Sequence, residues 1–328
     1  MEKKTRVATV VVTYNRCAIL KDCLEAIFRQ SRPTDCLIVV DNHSSDNTFD
    51  YIHTSEFLRE PTAVEFPGGE IYESAFSIGQ ERVMIHYIRL KENSGGAGGF
   101  YTGIKHAVER GYDYVWIMDD DVIPDRNALE KLVDFAVKEE ELGFVCSSVF
   151  GKNGKTMNTP AINPRPDVNG YQYWNERLDE GVVGVESATF VSVFIPAVSV
   201  LETGLPIKEF FIWGDDTEYT LRLSRWYPCY LVGASRVVHL RETGTSLSFV
   251  EEKNKNRIRF SFFLFRNTLY LARKKYFAHK KLFPMMCWVL KNSLICLLML
   301  DFYKSYIAMK ALLSFAFFNP EIEYVERK

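Results

Sequence analysis

The feature that most constrains this chain is a unit repeated through its first 150 residues: an uninterrupted apolar run, a polar break, then apolar residues at helical spacing. Residues 6–14 form such a run, rich in Val. CAILKDCLEAIFRQ follows, with Leu20, Cys23, Leu24, Ile27 and Phe28 on one helical face, and then the short run 36–40. Strand, helix and strand within about 35 residues make a parallel βαβ unit, because strands buried on both faces read as runs rather than as alternation. The unit recurs, with a strand expected over 84–90, a helix over 98–110, a strand over 114–118 and a helix over 127–139. After an apolar run at 143–150 the rhythm breaks. A loop rich in Asn, Pro and Gly (152–170) leads to strand-like VESATFVSVFIP and CYLVGASRVVHL, so a mostly parallel sheet is expected to continue into a mixed one ending near residue 246. Residues 49–82, with Pro61, Pro67, Gly68 and Gly69, read as an insertion between the second and third strands.

A chain of 328 residues suffices for one large α/β domain with an appendage. Its 47% hydrophobic and 25% charged residues exclude disorder and a polytopic membrane protein. Seven cysteines without a CxxC pair point to reduced thiols rather than a disulfide framework or structural zinc. The N-terminal apolar run is too short for a secretory signal, so a cytoplasmic location is expected. The net charge of -2 hides an asymmetry, because residues 251–281 carry ten Lys or Arg against two Glu and no acid lies between Lys253 and Leu300. Behind that basic stretch, residues 282–300 hold one charge, Lys291. A central Lys disfavours a membrane span, which leaves an interfacial helix, a packed helix or an oligomer interface. A nucleic-acid groove is disfavoured, since the Phe residues come in blocks rather than as spaced stacking platforms.

In an open parallel sheet the ligand lies beyond the carboxyl ends of the strands. The polar groups there are Thr13-Tyr14-Asn15, Asp41-Asn42, Asn93-Ser94-Gly95-Gly96 and Asp119-Asp120-Asp121. In extended backbone, positions i and i+2 share a face, so Asp119 and Asp121 can meet one cation while Asp120 turns away. Hard oxygen donors favour Mg²⁺ or Mn²⁺ over zinc, and the alternative is a solvated acidic turn. NSGGAGGF opens a helix after a strand, where glycine lets backbone approach a phosphate or sugar; a tight turn is the alternative. It matches neither GxGxxG nor a P-loop. FFIWGDDTEYTLRL puts Asp215, Asp216 and Glu218 at the head of a helix expected to run to Arg225, where one acid can cap and another can take a proton. His239 ends a strand-like run and is a candidate third metal ligand or a structural imidazole.

Taken in order, VVVTYNR, VVDNHSSDNT, NSGGAGGF, the Asp triplet, WGDDTEYTLR and the distal His239 resemble the inverting family 2 glycosyltransferases of GT-A fold. Bacterial galactofuranosyltransferases are the most similar, and dTDP-rhamnose-using rhamnosyltransferases come next. The resemblance runs from Val7 to about Ser246, and RNTLYLARKKY is also typical of these proteins. It implies a catalytic domain over 1–246, with a nucleotide-binding half to 122 and an acceptor half beyond, and a helical C-terminal region over 247–328. It further implies that Thr13 and Tyr14 line the base and that Asp41 hydrogen-bonds to it. Asn93, Gly95 and Gly96 would lie near the sugar and diphosphate, with Asp120 in the same donor-binding group. Asp119, Asp121 and His239 would hold Mn²⁺ or Mg²⁺, Asp216 would be the general base, and Asp215 would position hydroxyls. The implied partners are a nucleotide-sugar donor, UDP-linked by preference, and a glycan acceptor carried on lipid at the inner membrane face. A nucleotidyltransferase or a noncatalytic nucleotide-sugar-binding module would use similar groups. The large N-terminal β-rich domain of polymerising galactofuranosyltransferases has no counterpart in this sequence, so the resemblance does not by itself imply processive extension. Arg241, Thr243 and Ser246 are expected to belong to a lid over the diphosphate.

Overall fold

Every residue of β1 (Val7–Thr13) and β2 (Cys36–Asp41) is buried, as continuous apolar runs require in the middle of a sheet covered on both faces. The computed structural model describes residues 4–241, 248–275 and 281–326. Between the two strands runs α1 (Cys17–Phe28), and beyond them lie α2 (Thr48–Thr54), β3 (Thr62–Phe66), β4 (Gly69–Ile78), β5 (Glu81–Leu90), α3 (Gly95–Glu109) and β6 (Tyr114–Asp119). The mixed half holds β7 (Val122–Pro124), α4 (Ala128–Ala136), β8 (Phe144–Gly151), β9 (Ala161–Ile162), β10 (Val182–Ser187), β11 (Val193–Pro196), α5 (Ala197–Thr203), α6 (Asp215–Trp226) and β12 (Cys229–His239). Three helices close the chain: α7 (Lys255–Arg273), α8 (Leu282–Leu298) and α9 (Phe302–Phe317).

The strands form one sheet in the order β3-β4-β5-β2-β1-β6-β11-β8-β12-β10-β9, with β7 attached to β12. The β5-β2-β1-β6 core is parallel, and β11 joins β6 antiparallel, which is the expected change from parallel to mixed. Alternation along β1 sends Val7 and Val11 to the face covered by α1 and α4, and Ala8, Val10 and Val12 to the face covered by α3. The segment read as an insertion is largely an extension of the sheet. After α2 and a short 3₁₀ turn, β3 and β4 make a hairpin that pairs antiparallel with β5 and lengthens the edge. VESATFVSVFIP divides into β10 and β11, separated by residues 188–192.

Helix α3 begins at Gly95, three residues before the expected start. Glycine weakens a helix, which made a loop the natural expectation, but close packing overrides propensity here. A Cβ on Gly99 would lie 2.5 Å from Val12 Cγ1, and one on Gly103 would lie 2.3 Å from Val10 Cγ1. The helix can seat against β1 only where these side chains are absent.

The C-terminal helices are continuous with the sheet domain. Phe265, Leu269, Val289, Ala308, Ala311 and Phe315 make their shared core, while Tyr270 and Leu271 of α7 pack with Ala97, Ile207 and Phe210. The chain end returns as well: Leu205 N–H donates to Glu323 O at 2.8 Å, and Val325 is buried. Outward, α8 and α9 carry exposed Phe283, Leu298 and Phe317, and the link between them exposes Leu300. Among the described residues no helix is long and apolar enough to cross a membrane.

Candidate active site

Strand register sets the site. Thr13 pairs with Asp41 across β1 and β2, and Val12 pairs with Asp119 across β1 and β6, so three polar strand ends share one edge. Asp121 directly precedes β7, whose Val122 lies opposite His239, the last residue of β12. Leu240 N–H donates to Asp121 O at 2.8 Å and fixes that end. Residues 118 positions apart in sequence therefore become neighbours.

Ligating atoms of Asp119, Asp121 and His239 all lie within 4.8 Å of one another. His239 Nδ1 is 2.9 Å from Asn158 Oδ1, an acceptor, so a ring proton sits on Nδ1, and Nε2 faces Asp121 either with the second proton of an imidazolium or, once that proton is displaced, with a lone pair. That Nε2 is 3.0 Å from Asp121 Oδ1, a buried oxygen with no hydrogen-bond partner among the described residues. Two electron-rich atoms facing each other repel unless a proton or a cation lies between them. Their separation is what two ligands each about 2.1 Å from one ion span when they meet at a right angle. The donor set thus fits a divalent ion, and its two carboxylates with one imidazole suit Mn²⁺ or Mg²⁺.

The surrounding charges act in the same sense. Burial, then Asp121 and Asp120, push the Asp119 carboxyl well above the ordinary carboxylate value, and Asp215 at the head of α6 adds to this. Asp120 is pushed up to about 6 by burial, against the pull of Arg16 and a hydrogen bond from Thr13. Burial also works upward on Asp121, but a protonated His239, donating from Nε2 in place of a metal ion, and Arg16 outweigh it and hold the group below its usual value. Asp120 turns away from the cluster, accepting from Thr13 Oγ1 at 2.7 Å and from Arg16 Nη1 at 3.2 Å. The same Nη1 donates to Asp121 Oδ2 at 2.9 Å, so Arg16 neutralises part of the triplet.

Thr13 and Asp41, implied by the resemblance to sit at the base, are both buried and internally engaged. Asp41 accepts from Ser44 N–H at 2.7 Å and from the Tyr87 hydroxyl. Tyr14 is 45% exposed and stands at the edge of the strand end. Asn42 clamps the glycine turn, donating to Gly95 O at 2.8 Å and accepting from Ser94 N–H at 2.8 Å, while Asn93 Oδ1 accepts from Gly95 N–H. Gly95, at φ +73°, is required by close approach, because a Cβ there would lie 2.0 Å from Phe211 O. Gly96 differs: a Cβ on it would meet open space, which leaves the first turn of α3 accessible. Residues 242–247, including Thr243 and Ser246 of the expected lid, lie outside the described residues; Arg241 is exposed.

The second acidic pair sits on a strained turn. Phe211 (φ +64°), Trp213 (φ +63°) and Gly214 (φ +92°) all have left-handed backbone, a cost that persists only where neighbours impose it. On one side, Ala97 N–H donates to Phe211 O at 3.1 Å. On the other, the Asn267 side-chain amide of α7 donates to Phe210 O (3.0 Å), Ile212 O (3.2 Å) and Trp213 O (2.8 Å). Arg266 reinforces this by donating to Glu209 O at 2.6 Å and to Asn267 Oδ1. The turn delivers Asp215 and Asp216 to the head of α6. Burial, then Asp216, push the Asp215 carboxyl up to about 8, and burial raises Asp216 as well. Thr217 holds Asp216 Oδ1 through its N–H at 2.6 Å and its hydroxyl at 3.2 Å. Glu218 faces inward, in a bidentate pair with Arg222 at 2.9 Å on both bonds, and is structural.

Sequence reasoning missed Arg16, Asn158 and Asn267 as contributors to the site. The signal for Arg16 was an Arg just past β1 facing an acidic triplet, and for Asn267 a polar pair inside apolar FFLFRNTLYL. Asn158 had none, since its loop is rich in Asn. A second group, Glu73, His86 and His106, has its donors engaged already: His86 Nδ1 and His106 Nε2 bond to each other at 2.8 Å, and Glu73 pairs with Arg110.

This sheet order, with acids and an imidazole gathered at the strand ends, is that of the GT-A glycosyltransferase fold. Solved structures share it: Pyrobaculum calidifontis mannosyltransferase PcManGT in complex with GDP-Man and Mn²⁺ (TM-score 0.52, 16% identity, 97% of this chain and 77% of that one), and S. aureus TarS 1-349 in complex with UDP-GlcNAc (TM-score 0.52, 14% identity, 87% and 79%). The glycosyl transferase family 2 model matches residues 9–56 and 70–195, and the chain belongs to that family. Galactofuranosyltransferase GlfT1 of Mycobacterium tuberculosis is 28% identical over 230 residues, covering 67% of this chain and 64% of the relative. GlfT1 of Mycolicibacterium smegmatis is 35% identical over 131 residues, covering 40% of this chain and 35% of the relative. The matches therefore span between about a third and just under two thirds of these relatives' own lengths.

Proposed function

We propose that this chain is an inverting transferase that moves a glycosyl group, best read as galactofuranose from UDP-galactofuranose, onto a hydroxyl of a growing cell-surface glycan carried on lipid. The observation that carries the reading is the gathering of Asp119, Asp121 and His239 ligand atoms within 4.8 Å of one another, with His239 Nε2 3.0 Å from the buried Asp121 Oδ1. The 28–35% identity to galactofuranosyltransferases supports the choice of sugar.

In this reading Asp119, Asp121 and His239 hold the divalent ion, with Asn158 fixing the imidazole tautomer and Arg16 steadying Asp121. A bound Mn²⁺ or Mg²⁺ supplies Lewis-acid neutralisation of the charge that develops on the departing diphosphate. With Gly95 N–H and Ala97 N–H engaged by Asn93 and Phe211, the open space at Gly96 lets the same anion approach the backbone of the first turn of α3. Tyr14 borders the base, with Asp41 shaping the 42–46 loop behind it. Asp216 takes the proton of the acceptor hydroxyl as that oxygen attacks the anomeric carbon from the face opposite the leaving group, and Asp215 orients hydroxyls. Attack from that face inverts the anomeric configuration. The exposed apolar residues of α8 and α9, next to a basic stretch, support a peripheral position at the cytoplasmic face of the cell membrane.

The test is a donor panel with Mn²⁺, reading the nucleoside diphosphate released. UDP from UDP-galactofuranose is the expected result. Release of dTDP from dTDP-rhamnose alone would reassign the donor, and pyrophosphate from a nucleoside triphosphate would overturn the reaction class.

A further inference from the structure

Beside the strained turn, α7 and α9 border a groove of about 250 Å³, below the roughly 300 to 1,000 Å³ of cavities that enclose a drug-sized ligand. Its wall is aromatic. The Phe211 ring stacks on Phe263 (centroids 4.7 Å apart, 18° between planes), and Phe260 lies tilted at 6.0 Å and meets Trp213 edge-on. Its rim is cationic, with Arg259 and Lys310 both exposed and neither forming an ion pair among the described residues. The sequences of α7 and α9 contain no Asp or Glu to oppose them.

Phe211 joins this groove to the reaction centre. Its carbonyl accepts from Ala97 at the head of α3, its ring lines the groove, and Asp215 and Asp216 follow four and five residues later. An aromatic wall under two cations that form no ion pair among the described residues, Lys310 lying 5.6 Å over the Phe262 ring, suits an amphiphilic anion. A free phosphate would leave the rings unused, and a nucleic-acid base would find the facing surfaces of Phe211 and Phe263 covering one another.

We propose that the groove seats a lipid phosphate: the first carbons of an apolar chain against the phenylalanines, and the phosphate between Arg259 and Lys310. Resting on the transferase reading above, this makes it the lipid subsite of the acceptor and brings the acceptor hydroxyl to the acidic pair. A cavity of this size takes only the part of the chain nearest the headgroup, and the remainder would run along the exposed apolar residues of α8 and α9.

The probe is farnesyl diphosphate, titrated calorimetrically into the full chain in EDTA, which removes the cation a diphosphate would otherwise follow into the acidic cleft. Saturable one-site binding is expected, with pyrophosphate and farnesol each at least tenfold weaker. The double variant Arg259→Glu, Lys310→Glu should weaken it at least tenfold while leaving UDP binding with Mn²⁺ within twofold. Binding that survives the charge reversal, that UDP displaces in EDTA, that farnesol matches, or that only anionic lipid vesicles produce would overturn the proposal. If farnesyl diphosphate behaves as expected but UDP with Mn²⁺ does not bind, the groove stands as a lipid-phosphate site and the transferase reading falls.

Discussion

Asp216→Asn should bind UDP with Mn²⁺ as the parent chain does and lose transfer by roughly 10² to 10⁴, the range for a general base removed from a positioned site. The expectation comes from local chemistry. Thr217 fixes one carboxylate oxygen, so orientation is set before substrate arrives. Burial raises the group above the ordinary carboxylate value, which strengthens it as a base at neutral pH. The sign of the pH dependence follows, since the base works only when ionised. The acid limb of kcat/KM should therefore lie above the roughly 3.9 of an unperturbed Asp, with activity lost as pH falls through it. Asparagine keeps the shape and removes the proton acceptor. Near-normal turnover by Asp216→Asn, measured as nucleoside diphosphate released with acceptor present, would remove Asp216 from the mechanism.

The second large effect is expected at Asn267, which touches no reacting atom. Its amide holds three carbonyls of a turn with left-handed backbone at Phe211, Trp213 and Gly214, and the acidic pair hangs from that turn. Asn267→Ala takes the amide donor from part-buried Ile212 O and Trp213 O, while Phe210 O keeps the Ile212 N–H at 2.7 Å, and frees the turn to relax. A displacement of about 1 Å at a catalytic group can cost on the order of 10² in rate. The prediction is a fall in kcat of about that size with the Kd for UDP and Mn²⁺ unchanged, because the metal cluster is built on β6 and β12 instead. Asn267→Asp has the same shape but cannot donate when ionised, and should fail equally. A purely structural role would lower Tm and leave the kcat of the folded fraction intact, and that result would contradict the positioning assignment.

How much of this was legible in the sequence depended on whether the determining contacts are local. The parallel core was legible because β1, β2 and β6 carry apolar runs whose burial is almost complete, whereas a strand with one face in water would alternate. The β3-β4 hairpin was not, since β3 is largely exposed and is itself the edge strand of the sheet, paired with β4 alone. The early start of α3 was hidden because Gly99 and Gly103 answer to Val12 and Val10, which lie some 90 residues away. At the site, extended alternation was the reason given for pairing Asp119 with Asp121, whereas residues 120–121 form a turn between β6 and β7 and it is this turn that brings the two together; the end of a strand-like run picked out His239. Arg16, Asn158 and Asn267 act across 104, 81 and 57 residues respectively, and no local pattern records such partners.

The central claim is that two carboxylates and an imidazole, drawn together by the β7-β12 register, form a divalent-cation site that grips a nucleoside diphosphate. Calorimetric titration of UDP into the full chain, with Mn²⁺ and then with EDTA, in the parent and in Asp121→Asn, tests it most directly. The account predicts saturable binding with Mn²⁺ in the parent, its loss in EDTA, and its loss in Asp121→Asn even with Mn²⁺ present. Equal UDP affinity with and without Mn²⁺, or undiminished binding by Asp121→Asn, would contradict it.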